Sequence, residues 1–392
     1  MSPVVEGRTR PAWAEVDLDA LAHNVALLAH RAAPAALCAV VKSDAYGHGA
    51  VPVARTALES GASSLAVALV DEGLELREHG VAAPILVLSE VVPGAAEVLV
   101  RGGLTATVAT LQGLEALGAA ARRVGTRAVV HLKVDSGMHR IGAAPEQAAA
   151  LVEAAVAEPA LDLEGVWTHL AVADGAGEED RLFTALQLAT FDEVVDVSGA
   201  RSRTLHAANT AAAIAWPAAH YDMVRCGIGM YGCSPSPAMA DGSAGADVAA
   251  FVRELRPVLQ LKARVGAVRE LEAGARPSYG RRRPLPERSV VATVPIGYAD
   301  GVPRRLFDAG CPVLVGGRRR PIAGVVTMDQ LLVDCGPGAA VTPGDEVVLI
   351  GRQGAEEVTA AEWAGHLGTI VYEVLCGIGT RVPRVHAGLG SR

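Results

Sequence analysis

The chain has 392 residues and a formal net charge of −8, with half of its residues apolar and no long basic block. That length allows two domains and a large core, and the acidic balance makes nucleic acid and acidic membrane surfaces poor partners. No signal-like segment opens the chain and no apolar run reaches the roughly 18 residues of a membrane helix, so a cytoplasmic protein with no membrane partner is expected. Cys38, Cys226, Cys233, Cys311, Cys335 and Cys376 are scattered without a CxxC pair. Neither a metal site nor a disulfide framework is expected.

Residues 1–11 read as a loose leader. Residues 13–18 alternate like a strand, and Asp19 is placed to cap the helix that follows. Short apolar strands then alternate with Ala-, Leu-, Glu- and Arg-rich helical stretches. The strands are expected at 37–41, 64–69, 85–88, 106–108, 128–134, 163–167, 203–205 and 223–225. Eight such units suit an α/β barrel of eight parallel strands, a TIM-like barrel, because each strand is buried on both sides. A doubly wound open sheet gives the same local pattern, but no GxGxxG follows the first strand.

After residue 245 the texture changes. Short β-rich runs at 258–265, 290–295, 313–315, 321–326, 331–333 and 346–350 are separated by Gly-Gly and Pro-Gly turns. One late helix, at 360–367, has Thr359 as its cap. The expected division is a barrel over 12–245, a linker at 238–250, and a C-terminal mostly-β domain over 246–392 that the strand near 13–18 joins.

Reactive groups of a barrel gather at the C-terminal ends of its strands. Those ends hold Lys42, then Lys133 with Arg140, Thr168-His169, His206 with Asn209-Thr210, and Arg225 with Gly227-Ile228. Lys42 is one of only three lysines, with Lys133 and Lys262. Arginine is the usual cation here, and arginine cannot lose its proton to form an imine. A lysine leaving a buried strand is partly desolvated, which lowers its pKa and makes it a nucleophilic amine suited to a Schiff base. The bland alternative is a lysine snorkelling at a strand end. Likewise, His169 and His206 read equally as core histidines, Arg225 as a surface ion pair, and Lys133 and Arg140 as solvated charges. Asn209-Thr210 reads as a helix cap or as a phosphate site, since both use the same free N–H groups.

The segment from Val41 to Gly49 resembles the cofactor-attachment motif of the alanine racemase family. So do the segments 132–140, 168–174, 206–212 and 224–232. In the second domain, Ser278-Tyr279-Gly280, Gly297 to Gly301, Met328-Asp329-Gln330, and 368–373 with Arg381 to Arg384 are similar too. These matches run in order from about residue 13 to 386. His139 replaces a usually small residue and Val371 a usual asparagine. Arg276-Pro277 and Arg281 to Pro284 flank the Tyr279 turn. These departures bear on substrate range and rate.

The resemblance implies pyridoxal 5′-phosphate (PLP) on Lys42 and racemisation of a small amino acid, L-alanine to D-alanine foremost. It implies that Lys42 and Tyr279 are the two bases, Lys42 for the D- and Tyr279 for the L-enantiomer, with His169 helping the Tyr279 phenol. Arg225 would face the pyridine nitrogen, supported by His206. Tyr46, Asn209, Thr210, Gly227, Ile228 and Tyr372 would hold the cofactor, largely at its phosphate. Arg140, Met328, Tyr298 and Asp329 would meet the substrate, and Lys133 would carry a carbamate that balances Arg140. Tyr279, Tyr298 and Met328 would come from the second subunit of a homodimer. A racemase for serine or a larger amino acid, and a PLP-dependent decarboxylase of the same architecture, are the alternatives; a decarboxylase usually sets a carboxylate against the ring nitrogen. A single-barrel PLP carrier would not need the second domain.

Overall fold

A computed structural model of the chain describes residues 10–388; most of the expected leader lies outside this range. The described residues form two compact units, one of residues 18–256 and one of residues 10–17 with 257–388. Strand β1 (Ala12–Asp17) belongs to the second unit.

The first unit is the expected barrel. Its strands are β2 (Ala36–Val40), β3 (Ala62–Val67), β4 (Ile85–Glu90), β5 (Thr105–Val108), β6 (Ala128–Lys133), β7 (Leu161–Trp167), β8 (Thr204–His206) and β9 (Met223–Cys226). They form one parallel sheet in the order β8-β7-β6-β5-β4-β3-β2-β9. The apolar runs exist because both faces are covered: every residue of β5 and of β9 is buried. The two end strands are joined beside the ladder, where Asp222 N–H donates to Leu205 O at 3.0 Å and Arg225 N–H to Ala208 O at 2.9 Å.

The helices between strands carry local stop and start signals. In Leu111–Val124, Thr110 accepts from Gly113 N–H at the start, and Gly125 ends the helix at φ +80°. Helix Leu18–Ala32 begins before Asp19, which sits in the first turn rather than at the cap. The expected linker at 238–250 is instead packed structure, with helices Pro237–Asp241 and Ala246–Glu254. Met239, Val248 and Phe251 are buried there, and Arg31 covers the Phe251 ring at 5.7 Å. The unit boundary therefore falls between Arg256 and Pro257, later than the expected 245/246.

The second unit is mostly β. Strands β10 (Leu259–Arg264), β11 (Ala267–Leu271), β12 (Ser289–Val294), β13 (Pro312–Val315), β14 (Arg318–Pro321), β15 (Leu331–Asp334), β16 (Glu346–Gln353), β17 (Glu356–Val358) and β18 (Arg384–Ala387) build two sheets. One has the order β14-β13-β16-β10-β1-β18, with β17 on β16; the other is β11-β12-β15. β1 runs antiparallel to β10 and parallel to β18, so the N-terminal strand is held by this unit.

Residues 321–326 do not make one continuous strand: Pro321 ends β14, Ile322 bridges Val333, Ala323 N–H donates to Leu332 O, and the rest leaves the sheet. A Cβ on Gly324 would lie 2.6 Å from Pro277 O, and Ser278 Oγ donates to Val325 O at 2.6 Å. From Gly324 onward the stretch underlies the turn that carries Tyr279. Helix Ala360–Leu367 is present as expected, with the Thr359 hydroxyl accepting from Glu362 N–H.

Candidate active site

β2 delivers Lys42 at its end, half-buried. The four residues after it, Ser43 to Tyr46, take a left-handed helical turn with φ between 51° and 54°. L-residues avoid that region at a cost of roughly 1–2 kcal/mol each, so the turn exists only because its surroundings hold it. Behind it, the buried Tyr231 donates to Val40 O at 2.9 Å, and its ring lies 4.9 Å from Tyr46 and 4.5 Å from His48.

The turn brings Tyr46 to the start of the helix Thr210–Ala215. Asn209 caps that helix, accepting from Ala212 N–H at 3.0 Å, which occupies its side-chain oxygen as a structural cap. Thr210 Oγ accepts from Gly227 N–H at 2.9 Å. A Cβ on Gly227 would lie 2.6 Å from Tyr46 Oη. Here the absence of a side chain is needed, and it lets backbone and a phenol hydroxyl share one small polar cradle. Ile228 is buried behind it, and its carbonyl accepts from Tyr231 N–H.

β9 places Arg225 in the interior, only 3 % exposed. This overturns the surface ion-pair alternative. Its Nη2 donates to Thr168 O at 2.8 Å and Ala207 O at 3.0 Å, and its Nη1 meets His206 Nδ1 at 2.9 Å. Burial pushes the guanidinium down to about 10, so it stays a cation at neutral pH. Because arginine only donates, His206 Nδ1 must accept. His206 Nε2–H then donates to His131 Nδ1 at 2.9 Å, and His131 Nε2–H to Glu164 Oε2 at 2.9 Å. Burial, then Arg225, then His131 hold His206 far below its ordinary pKa, so it is neutral, as this chain of bonds requires.

His169 is ringed by cations. Its pKa is lowered well below the ordinary value by burial, then by Arg225, Arg140, Lys133 and Lys42. Its Nδ1 lies 3.3 Å from Arg225 Nη2 and must also accept, which leaves the hydrogen on Nε2. Gln187 fixes this loop from below, accepting from Ala171 N–H and donating to His169 O.

Lys133 ends β6 and is buried, not solvated, with Nζ 4.4 Å from the Trp167 ring centre. The same ring stacks on His206 and faces the Arg225 guanidinium at 4.5 Å. Burial, helped by Arg140 and Arg225, pushes Lys133 down to about 8. Arg140 is exposed at the rim. Between them, Asp135 accepts from Gly137 and His139 N–H, and His139 sits at φ +54°, where a glycine fits more easily.

In the second unit, Tyr279 is 73 % exposed at the tip of its turn. Tyr298 and Met328 share one scaffold: Tyr298 N–H donates to Thr327 O and Ala299 N–H to Met328 O, each at 3.0 Å. A Cβ on Gly297 would lie 2.5 Å from Met328 O, so these loops meet backbone to backbone. Buried Asp300 anchors them, accepting from Gly297 N–H and pairing with Arg10 and Arg381. Asp329 pairs with Arg381 at 2.8 Å and so belongs to this scaffold. Tyr372 is half-buried on helix Val371–Cys376.

Three residues of the barrel site were not singled out from sequence: His131, Glu164 and Trp167. His131 had a usable signal, since it precedes Lys133 by two and shares its strand face. Glu164 and Trp167 had none apart from their place on a barrel strand.

A parallel barrel with an amine at the end of its first strand and a buried arginine at the end of its eighth, followed by a β-rich unit, defines an amino-acid racemase. Residues 16–235 match the alanine racemase N-terminal domain and residues 258–386 the alanine racemase C-terminal domain. The chain belongs to the alanine racemase family. It is 47% identical over 382 residues to an alanine racemase of Symbiobacterium thermophilum, covering 97% of this chain and 98% of that protein. The crystal structure of alanine racemase from D-cycloserine-producing Streptomyces lavendulae superposes with a TM-score of 0.88, at 40% identity over 98% of both chains. A histidine racemase from Leuconostoc mesenteroides superposes at 0.86 with 28% identity, covering 97% of this chain and 99% of that one.

Gly227→Ala tests the cradle. The fold is expected to survive, while affinity for PLP, the cofactor that the family resemblance implies, falls about tenfold or more in a fluorescence titration, the equivalent of roughly 1.4 kcal/mol. Unchanged affinity would show that the Tyr46–Gly227 contact lies away from the cofactor.

Proposed function

We propose that the protein is a PLP-dependent racemase that interconverts L- and D-alanine. The observation that carries this reading is Arg225, a buried cation whose neighbours leave it only donors to offer a ring nitrogen. The other donor groups suit the same cofactor: an amine at Lys42, and the Tyr46, Thr210 and Gly227 cradle for a phosphate.

When bound, PLP supplies the electron sink that acidifies the α-hydrogen of an attached amino acid. Lys42 holds or takes the proton on one face of that carbon, and Tyr279 on the other. Arg225 would donate to the ring nitrogen and, as a cation, would disfavour its protonation, which would favour reprotonation at the α-carbon over transamination. His169, neutral with its hydrogen on Nε2, is the donor that steadies the Tyr279 oxygen. Arg140 receives the substrate carboxylate, with Met328 backbone and the Tyr298 and Tyr372 rings at the entrance. Solvent-deuterium exchange and racemisation across a panel of amino acids test the reading. Alanine should lead the panel. The likeness to a histidine racemase makes a larger substrate the second reading, and preference for one would replace the first.

Tyr279, Tyr298 and Met328 are all exposed on the described chain, which suits side chains that complete a second subunit's site. A C₂ homodimer follows. All six cysteines carry free thiols, as a reducing cytoplasm favours.

Lys133 is the site proposed for a carbamate. The reaction joins a neutral amine to CO₂ and releases one proton, so a lysine near 8 is a fit acceptor at neutral pH. The carbamate replaces a buried cation with an anion facing Arg140. Unmodified Lys133 penalises the fold fully below about 8, and the penalty is relieved as pH rises toward the unfolded value. Bicarbonate should therefore raise the thermal midpoint of CO₂-stripped protein near neutral pH, and Lys133→Met should remove that response. Lys133→Ala should be weakly active and partly rescued by a small carboxylate. A native mass without one added CO₂ would count against the carbamate.

A further inference from the structure

We propose that Glu72 is a positioning residue for Lys42, acting through the left-handed turn that starts at Ser43. Glu72 lies in the first turn of helix Val70–Glu78, after β3. One carboxylate oxygen, Oε2, accepts from Ala68 N–H at 2.7 Å and Leu69 N–H at 3.0 Å. The other, Oε1, crosses to the turn after β2 and accepts from Ser43 N–H at 2.6 Å. Ser43 follows Lys42 directly, so the carboxylate ties the backbone beside the amine to the end of the next strand.

The tie matters because of what it holds. Ser43, Asp44, Ala45 and Tyr46 are four consecutive L-residues at positive φ, a region that only glycine enters readily. The far end of the turn is anchored by Asp44, whose Oδ1 accepts from Ala50 N–H and whose carbonyl accepts from Gly49 N–H. His48 Nδ1–H adds a shared donation to Ala45 O and Tyr46 O. At the near end Ala45 N–H donates to Val41 O at 2.9 Å, and Glu72 is the side-chain anchor. The turn spaces Lys42 from Tyr46, which places the amine relative to the phosphate cradle. Loosening the near end frees the lysine while leaving the cradle in place.

The geometry offers a selective variant. Both oxygens of Glu72 act as acceptors on opposite sides, so a glutamine can serve only one of them. Keeping its oxygen on Ala68 and Leu69 turns an amide N–H₂ toward Ser43 N–H. Glu72→Gln should thus retain the helix start and lose the tether. Glu72→Asp, one methylene shorter, should behave the same way and stands in if the first variant folds poorly. Ser43→Gly takes positive φ without strain and should reduce the need for the tether.

This inference rests on Lys42 as the cofactor lysine. The experiment is hydrogen exchange on the holoenzyme, with kcat and KM measured alongside. Glu72→Gln should speed exchange in a peptide spanning 42–49 by about tenfold or more while 70–78 stays protected. It should lower kcat by about tenfold with KM nearly unchanged, and adding Ser43→Gly should restore much of both losses. Unchanged exchange at 42–49, or loosening of 70–78 that Ser43→Gly does not repair, would overturn the positioning role and leave a simple helix cap. Borohydride labelling of the wild type judges the other reading separately: label away from Lys42 removes the cofactor assignment, whereas the exchange result still decides whether Glu72 holds the turn.

Discussion

Lys42→Ala is expected to lower racemisation by at least about 10⁴-fold, because in the proposed reaction one residue both carries the cofactor and serves one face of the α-carbon. The other lysines cannot stand in. Lys133 is buried against Trp167, and Lys262, on β10 of the second unit, is buried in an ion pair with Glu15 at 3.0 Å. Borohydride reduction of the wild type followed by peptide mapping should find the label on Lys42 alone. Label on Lys133 or Lys262 would sink the assignment.

Tyr279→Phe removes the proposed opposite base and keeps the ring. A loss of about 10³-fold in racemisation is expected, within the usual range for one general acid–base group. The pattern is more telling than the size. With Lys42 intact, the α-hydrogen of D-alanine should still exchange with solvent deuterium without inversion, while that of L-alanine should not. Equal loss of exchange from both enantiomers would argue that Tyr279 shapes the site and moves no proton.

The barrel was legible because its strands are apolar on both faces, and each one found from the pattern is present. β11 was not, since most of Ala267–Leu271 faces solvent and reads as loop. The stretch 238–250 misled in the other direction: its Ala, Gly, Ser and Asp suggest a linker, yet Phe251 just beyond it and Met239 within it anchor helices. The residues at the strand ends were legible as a set, and the structure gathers those of the barrel: His169 feels Arg225, Arg140, Lys133 and Lys42 together. The left-handed turn had no local signal. Nothing in Ser43-Asp44-Ala45-Tyr46 demands positive φ, and its near-end tether comes from Glu72, 29 positions along the chain. The histidine chain was hidden for a related reason, because Glu164 meets His131 only once β6 and β7 are paired.

The central claim is that Lys42 of one subunit and Tyr279 of another flank the same α-carbon. The direct measurement mixes Lys42→Ala with Tyr279→Ala, each nearly inactive alone, and refolds them together. Random pairing makes about half of the dimers hybrids, each with one doubly damaged site and one intact site, so activity should return to about a quarter of wild type. If both residues came from the same subunit, every site would carry one lesion. Background activity in a sample whose hybrids are confirmed by native mass would contradict the shared site.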